Sequence, residues 1–225
     1  MTTNLKFTIA SDFVSRFIWR GSDYGNSPAI QPSLSLAHKN FEIGCWGTIA
    51  TNSNYTEIDL YAKYTYKKIA IIFTDYFAPT IDGATKPTDN RFFNYNDKTT
   101  SHTFEASLAY KGDEKFPLSL LCGVYFYGND KNWGYDMQKD NNLKTYFSTY
   151  AEAAYTFKIQ ENTVDVFMGI TPSAGAYGNK FGIVNVGLTG NRNIKISENF
   201  ELPIKASIIF NPLASNACFV FGFTL

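Results

Sequence analysis

Apolar and polar side chains alternate one by one through residues 5 to 20. Leu5, Phe7, Ile9, Phe13, Phe17 and Trp19 fall on one side, and Lys6, Thr8, Asp12, Arg16 and Arg20 on the other. A period of two marks a β-strand with unlike faces. Ordinary strands run about 5 to 6 residues, whereas a tilted strand that crosses a bilayer needs about 9 to 11. The same alternation recurs in twelve segments, roughly 5–20, 28–38, 41–51, 55–66, 68–77, 101–111, 116–127, 144–158, 163–171, 181–196, 200–211 and 217–225. No stretch of comparable length carries a helical period, so the pattern predicts an all-β chain.

Connection lengths alternate as well. Short links such as Lys39-Asn40, Lys67 and Glu198-Asn199 trade places with longer polar ones, notably 78–100 and 128–143. Two links on the long side, Asn52-Ser53-Asn54 and Leu213-Ala214-Ser215-Asn216, are themselves short. Short turns at one end and long loops at the other are the habit of bacterial outer-membrane barrels. The expected fold is a single domain over residues 1–225: one closed antiparallel transmembrane β-barrel of about twelve strands, with periplasmic turns and extracellular loops.

Alternation alone does not say which face is outside, because a soluble barrel buries its apolar face and a membrane barrel exposes it. The placing of rings decides in favour of lipid. Phe17 and Trp19 fall toward the long-loop end of the apolar face, and Tyr64, Tyr66, Tyr110, Tyr155, Phe157 and Phe223 toward the turn end. Two such belts match the two interfaces of a bilayer. The last segment puts Phe219, Phe221, Phe223 and Leu225 on one face, similar to the C-terminal strand by which outer-membrane barrels are recognised by their insertion machinery.

Composition sharpens this picture. Aromatic residues make up 17% of the 225 residues and charged ones only 18%, against about 25% charged in ordinary globular chains. Twenty basic residues balance twenty acidic ones, which removes a bulk electrostatic case for nucleic acid. The longest apolar runs, such as Ile69-Ala70-Ile71-Ile72-Phe73, are far short of the ~20 residues of a membrane-spanning helix. Met1 directly precedes a strand pattern with no basic and apolar leader, so the chain reads as the mature part of an exported protein. The expected location is the bacterial outer membrane.

If the apolar face meets lipid, the other face lines a lumen. Its charges are Asp12, Glu42, Glu57, Asp59, Glu105, Glu152, Asp165 and Glu201 against Lys6, Arg16, Arg20, Lys63, Lys111, Lys158, Lys195 and Lys205. Trp46, Tyr61, Tyr125, Tyr127, Tyr146 and Tyr150 share that face. These residues either border a narrow pore for small polar solutes or pair across it and close it. Arg16 and Arg20 form the candidate anion-attracting pair, with Asp12 close enough to neutralise one of them.

Enzymatic constellations are weak. His38 and His102 both fall on the apolar face near strand ends, without a recognisable serine partner. The Asp and Asn loop residues Asp130, Asn132, Asp136 and Asp140 do not follow calcium-loop spacing. Cys45, Cys122 and Cys218 share no metal spacing and read as packing residues. No enzyme activity, metal or cofactor is expected.

The run Ser11-Asp12-Phe13-Val14-Ser15-Arg16-Phe17-Ile18-Trp19-Arg20-Gly21, followed by Pro28-Ala29-Ile30-Gln31-Pro32-Ser33-Leu34, resembles the N-terminal hairpin of the TorF-like porin family of Gram-negative bacteria. Thr56-Glu57-Ile58-Asp59-Leu60, Thr74-Asp75-Tyr76-Phe77 and the stretch from Leu202 to Pro212 continue the likeness. Many aromatic and Asn residues with few Ala resemble a member from the Bacteroidetes. The resemblance implies a barrel and an outer-membrane address. From it and from the residues we expect a porin-like channel; the alternative is a closed barrel that serves as a surface scaffold in an envelope complex through loops 78–100 and 128–143.

Overall fold

The computed structural model describes residues 5–79, 89–131 and 144–225. The described residues contain fourteen strands and no helix: β1 (Leu5–Val14), β2 (Phe17–Trp19), β3 (Ser22–Tyr24), β4 (Ala29–His38), β5 (Phe41–Ala50), β6 (Thr56–Tyr66), β7 (Ile69–Phe77), β8 (His102–Asp113), β9 (Phe116–Gly128), β10 (Thr149–Ile159), β11 (Asn162–Thr171), β12 (Gly182–Ser197), β13 (Phe200–Asn211) and β14 (Asn216–Thr224). Twelve of them form a closed antiparallel barrel in which β4 to β14 pair in sequence order and β1 joins β4 to β14. The closing seam is short, with Asp12, Phe13 and Val14 opposite Thr224, Phe223 and Gly222. Ser11 and Leu225 extend it by exchanging backbone hydrogen bonds at 2.8 and 2.9 Å.

Tight turns join the strands at one end. Lys39, Lys67 and Gln160 take positive φ near 55°, the left-handed conformation that two-residue hairpin connections require. The closed ladder leaves no wall strand with an unpaired edge, so backbone polar groups are satisfied within the wall.

The two faces are inverted relative to a water-soluble protein. Leu5, Phe7, Ile9, Phe73 and Phe219 are more than half exposed on the outside, while Gln31, Thr48, Asp59, Glu105 and Ser207 are buried inside. Period-two alternation produces both results at once, because each strand turns its apolar positions outward and its polar ones inward.

The twelve expected segments coincide with the twelve wall strands, but the first requires correction. The wall strand stops at Val14, and the chain turns in at Ser15 and Arg16 to form the small β2–β3 hairpin, paired only with itself. Phe17 and Trp19, expected at a membrane interface, therefore sit inside the barrel: Phe17 is buried and Trp19 half-buried. Their alternation continued that of β1 because β2 is also a strand. Tyr64, Tyr66 and Phe157 are exposed on the outer wall, and Phe223 stacks on Phe13 there at 4.9 Å.

Two further expectations change. Tyr146 precedes β10 in an irregular segment, because Phe147 takes φ 54° and the strand begins only at Thr149. It is 39% exposed and its N–H bonds the Asp130 carbonyl at 3.0 Å. Tyr127 turns outward because a β-bulge skips Phe126 in the β8–β9 register and reverses the parity beyond it.

Candidate functional site in the barrel lumen

The inward hairpin is shaped by its turn. Trp19 pairs with Ser22, and Arg20 and Gly21 between them have φ of 49° and 78°, the two positive values of a type I′ turn. A Cβ on Gly21 would lie 1.8 Å from the Val184 carbonyl oxygen, so only glycine permits this approach to β12. Asn211 fixes the tip from the other side by donating its amide N–H to the Gly21 carbonyl at 3.2 Å.

Beside that tip, Arg20 reaches across the lumen to Glu105 on β8. Its Nη1 donates to Oε2 at 2.5 Å and its Nη2 to Oε1 at 2.8 Å, a bidentate geometry that planar guanidinium favours. Nη1 also donates to the Tyr177 hydroxyl. The guanidinium carbon sits 4.3 Å from the Trp19 ring centre and 4.7 Å from that of Tyr150. Glu105 accepts further bonds from Ser107 at 2.5 Å and Tyr76 at 3.3 Å. Gly123 makes room, since a Cβ there would come within 2.8 Å of the carboxyl group. Phe17 packs 5.3 Å from Trp46, and Trp19 5.3 Å from Tyr76.

The other inward charges mostly satisfy one another along the wall. Lys205 donates to Asp12 at 2.7 Å and Thr224 to the same carboxylate at 2.6 Å. Lys63 and Tyr61 donate to Glu42 at 3.1 and 2.8 Å. Asp165 accepts from Thr156 and Asn191 at 2.6 and 2.9 Å, and Glu152 from Tyr150 and from Asn185, the latter at 2.9 Å. Arg16 is held by Asp23 and Asn26 of the hairpin's own chain. Arg16 and Arg20 thus each have a carboxylate, and Asp12 serves Lys205 rather than either arginine. Glu57 accepts one bond, from Tyr55 at 2.9 Å, and Asp59 Oδ1 is buried with no hydrogen-bond partner.

Two cavities flank the hairpin. One of about 300 Å³ is bounded by Arg16, Ile18, Gln31, Asn185 and Lys205, and one of about 220 Å³ by Trp19, Trp46, Glu57, Asp59, Tyr61 and Tyr76. The lumen is narrowed by the hairpin without being filled.

Residues 2–115, just over half of the chain, match the family described as a bacterial protein of unknown function, Gcw_chp. The chain belongs to the Gcw_chp family. No curated protein matches it. The span matched to Gcw_chp holds the whole hairpin together with Glu57, Asp59 and Glu105, and so contains both partners of the buried ion pair; Tyr150 and Tyr177 lie beyond it.

The Gcw_chp span also includes a polar pair on the outer wall. His102 is fully buried, with Nδ1 2.7 Å from Asp75 Oδ1 and Nε2 2.5 Å from the Phe92 carbonyl. Phe77, Phe92 and Tyr95 pack around the ring at 4.6, 5.2 and 4.5 Å. A carbonyl only accepts, so Nε2 is the donor to Phe92, while Nδ1 faces the Asp75 carboxyl group. Residues 89–100 thus cover a stretch of outer wall that would otherwise present a bare polar pair. Both Nε2 and Nδ1 are engaged, leaving no ring nitrogen to activate a nucleophile. Asp75, Tyr55, Tyr76 and Tyr177 are not among the site residues named from sequence; for Asp75 the available signal is an acid on an otherwise apolar face of segment 68–77.

At the turn end, Lys68 donates to Asp113 at 2.5 Å. That bond, with help from the backbone N–H of Phe116, holds the Asp113 carboxyl below its ordinary range, and Lys68 is raised in turn.

Proposed function

We propose that this barrel spans a bacterial outer membrane and gives small polar solutes a narrow, selective passage, with the β2–β3 hairpin as its constriction. The observation that carries the reading is the polar lumen with a cavity on each side of the hairpin. The outer wall supports the membrane address. Soluble monomers rarely expose contiguous apolar patches beyond a few hundred Å², whereas here every wall strand contributes exposed large apolar side chains, with Val166 and Met168 supplying them on β11. Wall strands of 9 to 16 residues suffice to cross the hydrocarbon core. The resemblance to TorF-like porins agrees. Phe219, Phe221 and Leu225, exposed along the last strand, suit recognition by the insertion machinery.

Planar-bilayer recording of the refolded protein tests this. Small, reproducible current steps are expected. Verified insertion without current would overturn the passage and favour a second reading, a closed scaffold, for which the buried Arg20–Glu105 lock on the hairpin is the specific support. In that reading partners dock on loops 78–100 and 128–143, of which residues 80–88 and 132–143 lie outside the described residues.

A further inference from the structure

Three inward positions lie side by side across β5, β6 and β7, since Trp46 is the register partner of Asp59 and Asp59 that of Tyr76. Glu57, two positions before Asp59, shares its face. The hairpin supplies the facing wall through Trp19, and the 220 Å³ cavity between them is many times the ~10–15 Å³ a single water needs.

Charge does not balance locally. Glu105, Glu42 and Asp12 each have a basic partner. Glu57 takes only a tyrosine hydroxyl, and Asp59, 7% exposed, leaves Oδ1 without any partner. Neither enters an ion pair among the described residues. Burying a carboxylate oxygen unpaired is costly. A wall that keeps one beside a second carboxylate and among aromatic rings is arranged to receive a positive group.

We propose that this cavity binds a small organic ammonium ion, with its charge on Asp59 and Glu57 and its carbon groups against Trp19, Trp46 and Tyr76. The lumen contains the same chemistry once already, where the Arg20 guanidinium rests on Trp19 and Tyr150 with Glu105 as counter-ion. A metal ion suits the walls less well. Calcium takes six to eight oxygen ligands, and among the described residues no group of three or more His, Cys, Asp or Glu is placed to hold a metal. The proposal rests on the reading of the lumen as a solute path only for access, because it requires binding and not conductance.

The test is titration of the full-length protein, folded in detergent, with tetramethylammonium chloride, followed by tryptophan fluorescence and calorimetry. Sodium chloride at equal ionic strength and tert-butyl alcohol serve as the ionic and the neutral control. Saturable binding of tetramethylammonium alone is expected, weakened about tenfold or more by Asp59→Asn, a change worth about 1.4 kcal/mol or more. Glu57→Gln and Trp46→Leu should each weaken it several-fold, with the heat-dependent gel migration of a folded barrel retained in all three. Absence of saturable binding, or equal affinity in a folded Asp59→Asn protein, overturns the site. Current without binding overturns the site and spares the passage; binding without current supports the site and overturns the passage.

Discussion

The guanidinium of Arg20 and the carboxylate of Glu105, 85 positions apart in sequence, meet through two parallel hydrogen bonds at 2.5 and 2.8 Å, with side chains only 7% and 2% exposed. Such a pair is worth little against an apolar replacement, yet removing one partner strands a buried charge at about 3–5 kcal/mol. Glu105→Gln should therefore lower the stability of the folded barrel by roughly that amount, read from urea unfolding of the heat-modifiable band. Adding Arg20→Met to it should restore most of the loss, since no isolated charge is then left.

Gly21 makes the tip of the hairpin possible. Its φ of 78° and the 1.8 Å approach that a Cβ would make to Val184 O both forbid a side chain there. Gly21→Ala should push the tip away from β12 and loosen the hairpin while the wall stays intact. Single-channel conductance should rise, with unchanged gel migration as the control for the wall. Equal conductance would show that the hairpin does not limit passage.

The wall was legible because two-residue periodicity sets strand, face and neighbour together: segment 55–66 appears as β6 (Thr56–Tyr66), and segment 200–211 as β13 (Phe200–Asn211). The hairpin was not, because Phe17 and Trp19 kept the phase of Phe13 even though the chain had left the wall. An excessive length for one strand and the Arg20-Gly21 step were the signals of a break. Tyr127 escaped because a bulge one residue before it inverts parity without any mark in composition. Glu42 takes Lys63, its register partner on the neighbouring strand, whereas a partner reached across the lumen depends on distances that no linear pattern encodes. Arg20 faces Glu105 rather than its near neighbour Asp12 because the hairpin carries it across the lumen.

The outer-wall pair makes a prediction about residues 89–100. His102→Ala leaves the Phe92 carbonyl and Asp75 without their shared partner, at about 1–3 kcal/mol for each buried group. That raises the open population of this segment roughly tenfold or more. Trypsin should then cut at Arg91 and Lys98 correspondingly faster, while cleavage elsewhere keeps its rate. An unchanged rate at both sites would mean that the pair does not hold the segment down.

Lys68 and Asp113 tie two neighbouring turns at the barrel rim, and both side chains are nearly half exposed. Asp113 is depressed in the folded state, so its contribution is present above the ordinary carboxylate range and fades as pH falls through the lowered value. Lys68 is raised, so its contribution holds below the ordinary ammonium range and fades as pH climbs through the raised one. The pair therefore acts across the neutral range between those limits. Carboxyl NMR of the folded protein should place the Asp113 midpoint below the usual ~3.9. Lys68→Gln should move it back only part of the way, because the backbone N–H groups of Lys115 and Phe116 still donate to it at 3.1 Å. At 1 M salt, where the screening length falls to about 3 Å, the wild-type midpoint should approach that of the variant. A midpoint indifferent to both the substitution and salt would show that the turn's own backbone, rather than Lys68, sets the carboxyl group.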